Sequence, residues 1–94
     1  LQNHIPIQIV DERNRIRMIG AGITIEKEKQ FGKFVSLIPY TNIVKGLTLT
    51  GFKYPLDHYD FRGFCSLGVS NEIIAESAQI TFEDGILIVI EARD

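Results

Sequence analysis

Apolar and polar residues alternate with a period of two along most of the chain, the mark of strands with one face in a core. Ile5, Ile7 and Ile9 alternate, Asp11-Glu12-Arg13-Asn14 reads as a turn, and Arg15 and Arg17 then alternate with Ile16 and Met18. This pattern predicts a hairpin with one wet face. Gly20-Ala21-Gly22 marks a second turn or bulge, after which Ile23 and Ile25 alternate with Thr24 and Glu26. Glu26-Lys27-Glu28-Lys29 reads as a solvated strand end and loop. Lys33–Ile38 is the next predicted strand, stopped by Pro39. Val44–Phe52 follows, with Gly46 and Gly51 hinting at a bend or bulge, and Tyr54-Pro55-Leu56-Asp57 closes it. Asp57 is read first as a cap of that turn, with offsetting the charge of a cationic ligand as the alternative.

Tyr59–Phe64 and Ser66–Ser70 are short candidate strands, and Glu72–Glu76 fits one helical turn or a loop. Ala78–Phe82 and Ile86–Ile90 are expected to form a last hairpin around Glu83-Asp84-Gly85. Ile86–Ile90 is apolar on both faces, which predicts a central or interface strand. About nine short strands and no helix imply an all-β fold, a single small β-sandwich or jelly-roll-like domain.

Composition supports strands. Among 94 residues there are 15 Ile, 5 Val and 5 Thr against 4 Ala, and β-branched side chains fit a pleated surface better than a helix. Ten Lys+Arg against 12 Asp+Glu give a net charge of −2, with no basic stripe of the kind that tracks a polyanion, so no nucleic-acid partner is expected. The longest apolar run, Ile86–Ile90, is far short of the roughly 20 residues of a membrane-spanning helix, so no membrane partner is expected. A lone cysteine, Cys65, forms no internal disulfide and makes a cytoplasmic setting the expectation.

Candidate chemistry is sparse. His4 and His58 are the only histidines, and without a nearby Cys pair they make no usual zinc set, so both read as surface residues. No phosphate-binding glycine loop of the G-x-x-x-x-G-K-[ST] type is present. Cys65 has no His or Asp beside it in sequence and reads as a buried or half-buried thiol. The acidic pairs Asp57/Asp60 and Glu83/Asp84 sit at turn signals, which explain them without catalysis. A binding domain without its own catalytic set is the general reading. Phe31, Phe34 and Tyr40 are the stacking platforms that an OB-like nucleic-acid module would use.

Two segments rise above this background: Gly51-Phe52-Lys53-Tyr54-Pro55-Leu56 and Ser66-Leu67-Gly68-Val69-Ser70-Asn71-Glu72. Together with Phe34-Val35-Ser36-Leu37-Ile38-Pro39 and Gly46-Leu47-Thr48-Leu49, they resemble the C-terminal domain of bacterial thiamine pyrophosphokinase. The resemblance runs from Ile9-Val10-Asp11 through Phe82-Glu83-Asp84-Gly85-Ile86-Leu87. Either segment alone is a weak signal; both, in order and at family-like spacing, are specific.

The resemblance implies an enzyme that transfers a pyrophosphoryl group from ATP to thiamine, giving thiamine diphosphate and AMP. It implies an N-terminal α/β domain that holds ATP and Mg2+, a C-terminal β domain that binds thiamine, and a homodimer with the pocket between subunits. Residues 5–94 then correspond to the thiamine-binding β domain, and 1–4 to a linker remnant from the nucleotide-binding domain. On this reading the 94-residue chain alone is inactive and binds no cofactor of its own. The alternative is a non-catalytic ligand-binding or dimerisation β-sandwich.

The family match assigns thiamine binding to Tyr54, Ser70 and Asn71, with Ser66 as a further pocket candidate. An aromatic face suits both rings of thiamine, stacking on the aminopyrimidine and attracting the cationic thiazolium; some relatives carry Trp where Tyr54 stands. An Asn amide, with one donor and one acceptor, matches an aminopyrimidine edge. Turn formation is the plainer role for Ser70-Asn71, and core packing beside Pro55 the plainer one for Tyr54. Lys53 is expected to lie over Phe52 or Tyr54, or to contact phosphate. Cys65 departs from the small polar residue that the family often has there.

Overall fold

The computed structural model describes residues 8–62 and 71–93. Nine strands are found there: β1 (Gln8–Val10), β2 (Asn14–Ile19), β3 (Ile23–Glu26), β4 (Phe34–Pro39), β5 (Ile43–Thr50), β6 (Leu56–Arg62), β7 (Asn71–Glu72), β8 (Ser77–Thr81) and β9 (Leu87–Ala92). The only helical element among the described residues is a 3-10 turn, Lys27–Lys29, with no buried residue. No helix among them is long and apolar enough to cross a membrane.

The strands form two antiparallel sheets. One runs in the order β1-β2-β9-β4-β7, the other β3-β8-β5-β6. The all-β sandwich predicted from the alternation is therefore the architecture of the chain. β9 is the central strand of the five-stranded sheet, as its two apolar faces require. Leu87 and Val89 point into a core shared with Val35, Leu37, Val44, Leu47, Leu49, Phe61, Ala78 and Ile80.

The expected first hairpin forms between β1 and β2, and the Asp11 carboxylate accepts the backbone N–H groups of Arg13 and Asn14 in its turn. Its faces are the reverse of a simple reading. Arg15, Arg17 and Ile19 lie opposite Glu91, Val89 and Leu87, and directly opposed residues share a face. Both arginines therefore face inward, and Ile9, Ile16 and Met18 face outward with Ile88 and Ile90.

Three other expectations change. The last hairpin does not form: β8 pairs with β3 and β5, whereas β9 pairs with β2 and β4. Glu83-Asp84-Gly85 instead carries the chain from one sheet to the other, held by Lys45, which exchanges backbone hydrogen bonds with Glu83 and Asp84. Glu72–Glu76 is neither a helical turn nor a plain loop: Asn71–Glu72 pairs with Phe34 and Val35 of β4, and Ile73 bridges to Phe52. Asp57 lies within β6, exposed, beside His58 Nδ1 at 2.6 Å, rather than capping a turn.

The bend expected at Gly46 is present as a register shift between Val44 and Leu47. Gly46 has φ +66°, a conformation glycine reaches without steric cost.

Candidate functional site

Tyr54 and Asn71 are 17 residues apart and meet at the edge where the sheets are laced together. Beyond β5 the chain runs antiparallel to the segment from Asn71. Ile74 N–H donates to Gly51 O at 2.9 Å, Phe52 bridges Ile73, and Lys53 N–H donates to Glu72 O at 2.8 Å. Gly51 starts this run at φ +80°, and an added β-carbon there would overlap the Ser77 carbonyl oxygen. Phe52 anchors it as a core residue.

One step further on, the Asn71 side chain takes over from the backbone. Its Oδ1 accepts the Tyr54 N–H at 2.9 Å and the Glu72 N–H at 3.0 Å, and its Nδ2 donates to the Tyr54 carbonyl at 2.9 Å. Asn71 is 1% exposed and Tyr54 59%. A buried amide thus holds the backbone of a residue whose side chain stands in solvent. The polar cost of burying Asn71 is met by these three bonds. Lys53 Nζ lies 5.6 Å from the Tyr54 ring centroid, so of its expected places the lysine takes the one over Tyr54.

Of the four predicted thiamine-binding residues, Tyr54 and Asn71 are therefore brought together. Ser66 and Ser70 lie outside the described residues, as do Cys65 and His4.

The sequence reading missed a second polar cluster. Glu91 is 0% exposed, on the inner face of β9. Its Oε2 accepts from Arg15 Nε at 2.9 Å, Arg15 Nη2 at 2.7 Å and Arg17 Nη2 at 2.8 Å, and its Oε1 from the Phe31 N–H at 3.3 Å. Burial lowers the Arg17 guanidinium pKa; the Glu91 charge opposes that shift and the Arg15 charge adds to it. Arg93 covers the Phe31 ring at 4.0 Å and donates to the Phe31 carbonyl at 2.9 Å. Phe31, one of the three candidate stacking platforms, is thus already stacked by an arginine of the same chain. The signal that would have exposed this cluster is one glutamate at the end of an apolar strand, facing two alternating arginines.

Among the described residues no group of three or more His, Cys, Asp or Glu side chains is placed to hold a metal ion. An open groove of about 610 Å³ runs beside β3 and β8, lined by Thr24, Glu26, Lys27, Glu28, Glu76 and Ser77, without Tyr54 or Asn71.

Residues 22–87 match the family described as thiamin pyrophosphokinase, vitamin B1 binding domain. The chain is 37% identical over 95 residues to the thiamine pyrophosphokinase of Bacillus subtilis (strain 168), covering 100% of this chain and 44% of that protein. A crystal structure of thiamine pyrophosphokinase from Bacillus subtilis superposes with a TM-score of 0.85 at 36% identity, over 93% of this chain and 41% of that one. A crystal structure of thiamin pyrophosphokinase from Geobacillus thermodenitrificans gives a TM-score of 0.83 at 35% identity, over 96% and 42%. The chain spans less than half the length of these relatives. A match through most of the chain, on the same two-sheet frame, places this protein in the thiamin pyrophosphokinase vitamin B1 binding domain family.

Proposed function

We propose that the chain is the thiamine-binding β domain of a thiamine pyrophosphokinase, which transfers a pyrophosphoryl group from ATP to the thiamine hydroxyl, giving thiamine diphosphate and AMP. The observation that carries this reading is the Tyr54 ring, 59% exposed on a backbone held by a buried amide, within a chain that matches the vitamin B1 binding domain. An exposed aromatic face attracts the thiazolium cation and stacks on the pyrimidine. Ser70, next to Asn71 in the sequence, and Ser66 are the further hydroxyls that this reading assigns to thiamine. In-line pyrophosphoryl transfer depends on placement and charge neutralisation, and this domain contributes the placement. ATP and Mg2+ belong to an N-terminal nucleotide-binding domain, and the enzyme works in the cytoplasm.

The working unit is a homodimer. The outer face of the five-stranded sheet supports association: Ile9, Ile16, Met18, Ile88, Ile90, Phe34 and Ile38 lie on it, with Ile9 59% and Ile38 45% exposed. A contiguous apolar face of this kind marks an interaction surface, and a second copy of the chain brings an identical one.

The test is to incubate the full-length protein with ATP, magnesium and thiamine, then separate the products. Thiamine diphosphate and AMP in equal amounts are expected. Thiamine binding with ATP left intact would keep the pocket and remove the enzyme; neither binding nor turnover would leave the fold without this function.

A further inference from the structure

We propose that Asn71 is a positioning residue: it serves thiamine through Tyr54, by fixing the backbone that carries the exposed ring, and does not read the pyrimidine edge itself. This inference rests on Tyr54 being the thiamine platform.

The Asn71 amide lacks the hydrogen-bonding capacity for both roles. An aminopyrimidine edge asks an amide for one acceptor and one donor. A side-chain amide oxygen has two acceptor sites, and those of Asn71 Oδ1 take the Tyr54 and Glu72 N–H groups. One Nδ2 hydrogen is committed to the Tyr54 carbonyl. Among the described residues this leaves a single donor on a residue 1% exposed, which cannot supply the acceptor half of the pair.

The amide exchanges both an N–H and a C=O bond with Tyr54, at 2.9 Å each. That is the double exchange made by two residues in a hydrogen-bonded antiparallel pair. The side chain therefore extends the ladder formed by Gly51, Phe52 and Lys53 with Ile74, Ile73 and Glu72 by one residue, to the point where the ring leaves the protein. Asp has the shape but lacks the donor, and Ala has neither. Ordering the Tyr54 backbone before the ligand arrives removes part of the entropy cost of binding.

A double-mutant cycle in the full-length enzyme tests this. Thiamine KM and kcat are measured for the parent, N71A, Y54A and N71A/Y54A, with thermal unfolding of each to confirm that it is folded. Y54A is expected to raise thiamine KM about tenfold, the scale of one lost stacking and cation–π contact. N71A is expected to raise KM about fivefold with kcat changed less than twofold, as for lost uniform binding. In the Y54A background N71A is expected to shift KM by less than about twofold, the limit for two residues acting as one. If N71A does not fold, N71S takes its place in the cycle.

Penalties that multiply in the double variant would put Asn71 on the ligand and overturn the inference. So would an N71A enzyme with parental KM. If Y54A itself leaves thiamine KM unchanged, the platform reading fails, and Asn71 loses its proposed role with it.

Discussion

Asn71 and Glu91 lie on one cross-strand row of the inner face. Val35 pairs with both, so they stand two strand spacings, about 10 Å, apart. Both are polar, both are at most 1% exposed, and both are held by hydrogen bonds. Glu91 is met mainly by side chains, two arginines that leave the same face of β2, with one backbone N–H from Phe31 besides. Asn71 is met by the backbone of Tyr54, whose ring projects into solvent. Burial of a polar group is thus no functional signal by itself. What separates the two is what each group holds up: Glu91 ties strands together, and Asn71 fixes the backbone of an exposed aromatic residue, the proposed thiamine platform.

The largest expected effect is on the glutamate side. Glu91→Gln leaves two half-buried guanidinium groups facing each other without their carboxylate, and is expected to lower stability by about 3 kcal/mol, read by chemical denaturation. Replacing all three residues with apolar ones of similar size (Arg15→Met, Arg17→Met, Glu91→Leu) is expected to restore parental stability to within about 1–2 kcal/mol. If the triple variant stays as unstable as Glu91→Gln, the cluster does more than fill the end of the sandwich.

On the asparagine side, Asn71→Ala removes a partner from two N–H groups and one carbonyl. A stability loss of about 2 kcal/mol is expected, with weakened thiamine binding that Glu91→Gln does not share when assayed well below its melting temperature. Equal damage to thiamine binding from both variants would erase the comparison.

Lys53→Met removes a cation 5.6 Å from the Tyr54 ring centroid. Thiamine, itself cationic, is expected to bind about twofold tighter, the scale of one exposed cation–π contact. Weaker binding would mean that the lysine supports the Tyr54 ring as a platform rather than competing with the cation.

The smallest effect belongs to the β1–β2 turn. Two backbone N–H bonds, from Arg13 and Asn14, hold the Asp11 carboxyl below its ordinary 3.8. A lowered folded-state pKa adds stability that is complete above the unfolded value and lost as pH falls through the folded one. Asp11→Ala is therefore expected to flatten the pH dependence of unfolding below about pH 4 and to leave it unchanged at neutral pH.

Much of the fold was legible because its signals are local. The Ile86–Ile90 run marked the central strand, the alternation either side of Asp11 marked a hairpin, and Gly46 marked the bulge. What failed depends on distant partners. Glu83-Asp84-Gly85 carries the same turn chemistry whether the chain folds back in one sheet or crosses to the other, and the strands already beside β8 and β9 decide which. Arg15 and Arg17 read as solvent-facing because Glu91, which brings them inward, lies 76 and 74 residues away. At the site, the two motifs gave Tyr54 and Asn71 as a pair. The commitment of the Asn71 amide to the Tyr54 backbone depends on a short strand that reads as a loop in isolation.

Thiamine titrated into the full-length protein and its Tyr54→Ala variant, by calorimetry at matched temperature, decides whether the Tyr54 ring is the thiamine platform. A dissociation constant raised about tenfold, with a melting temperature unchanged as befits a ring 59% exposed, is the predicted result. Equal affinity in the two proteins would contradict the account and move the thiamine site away from Tyr54.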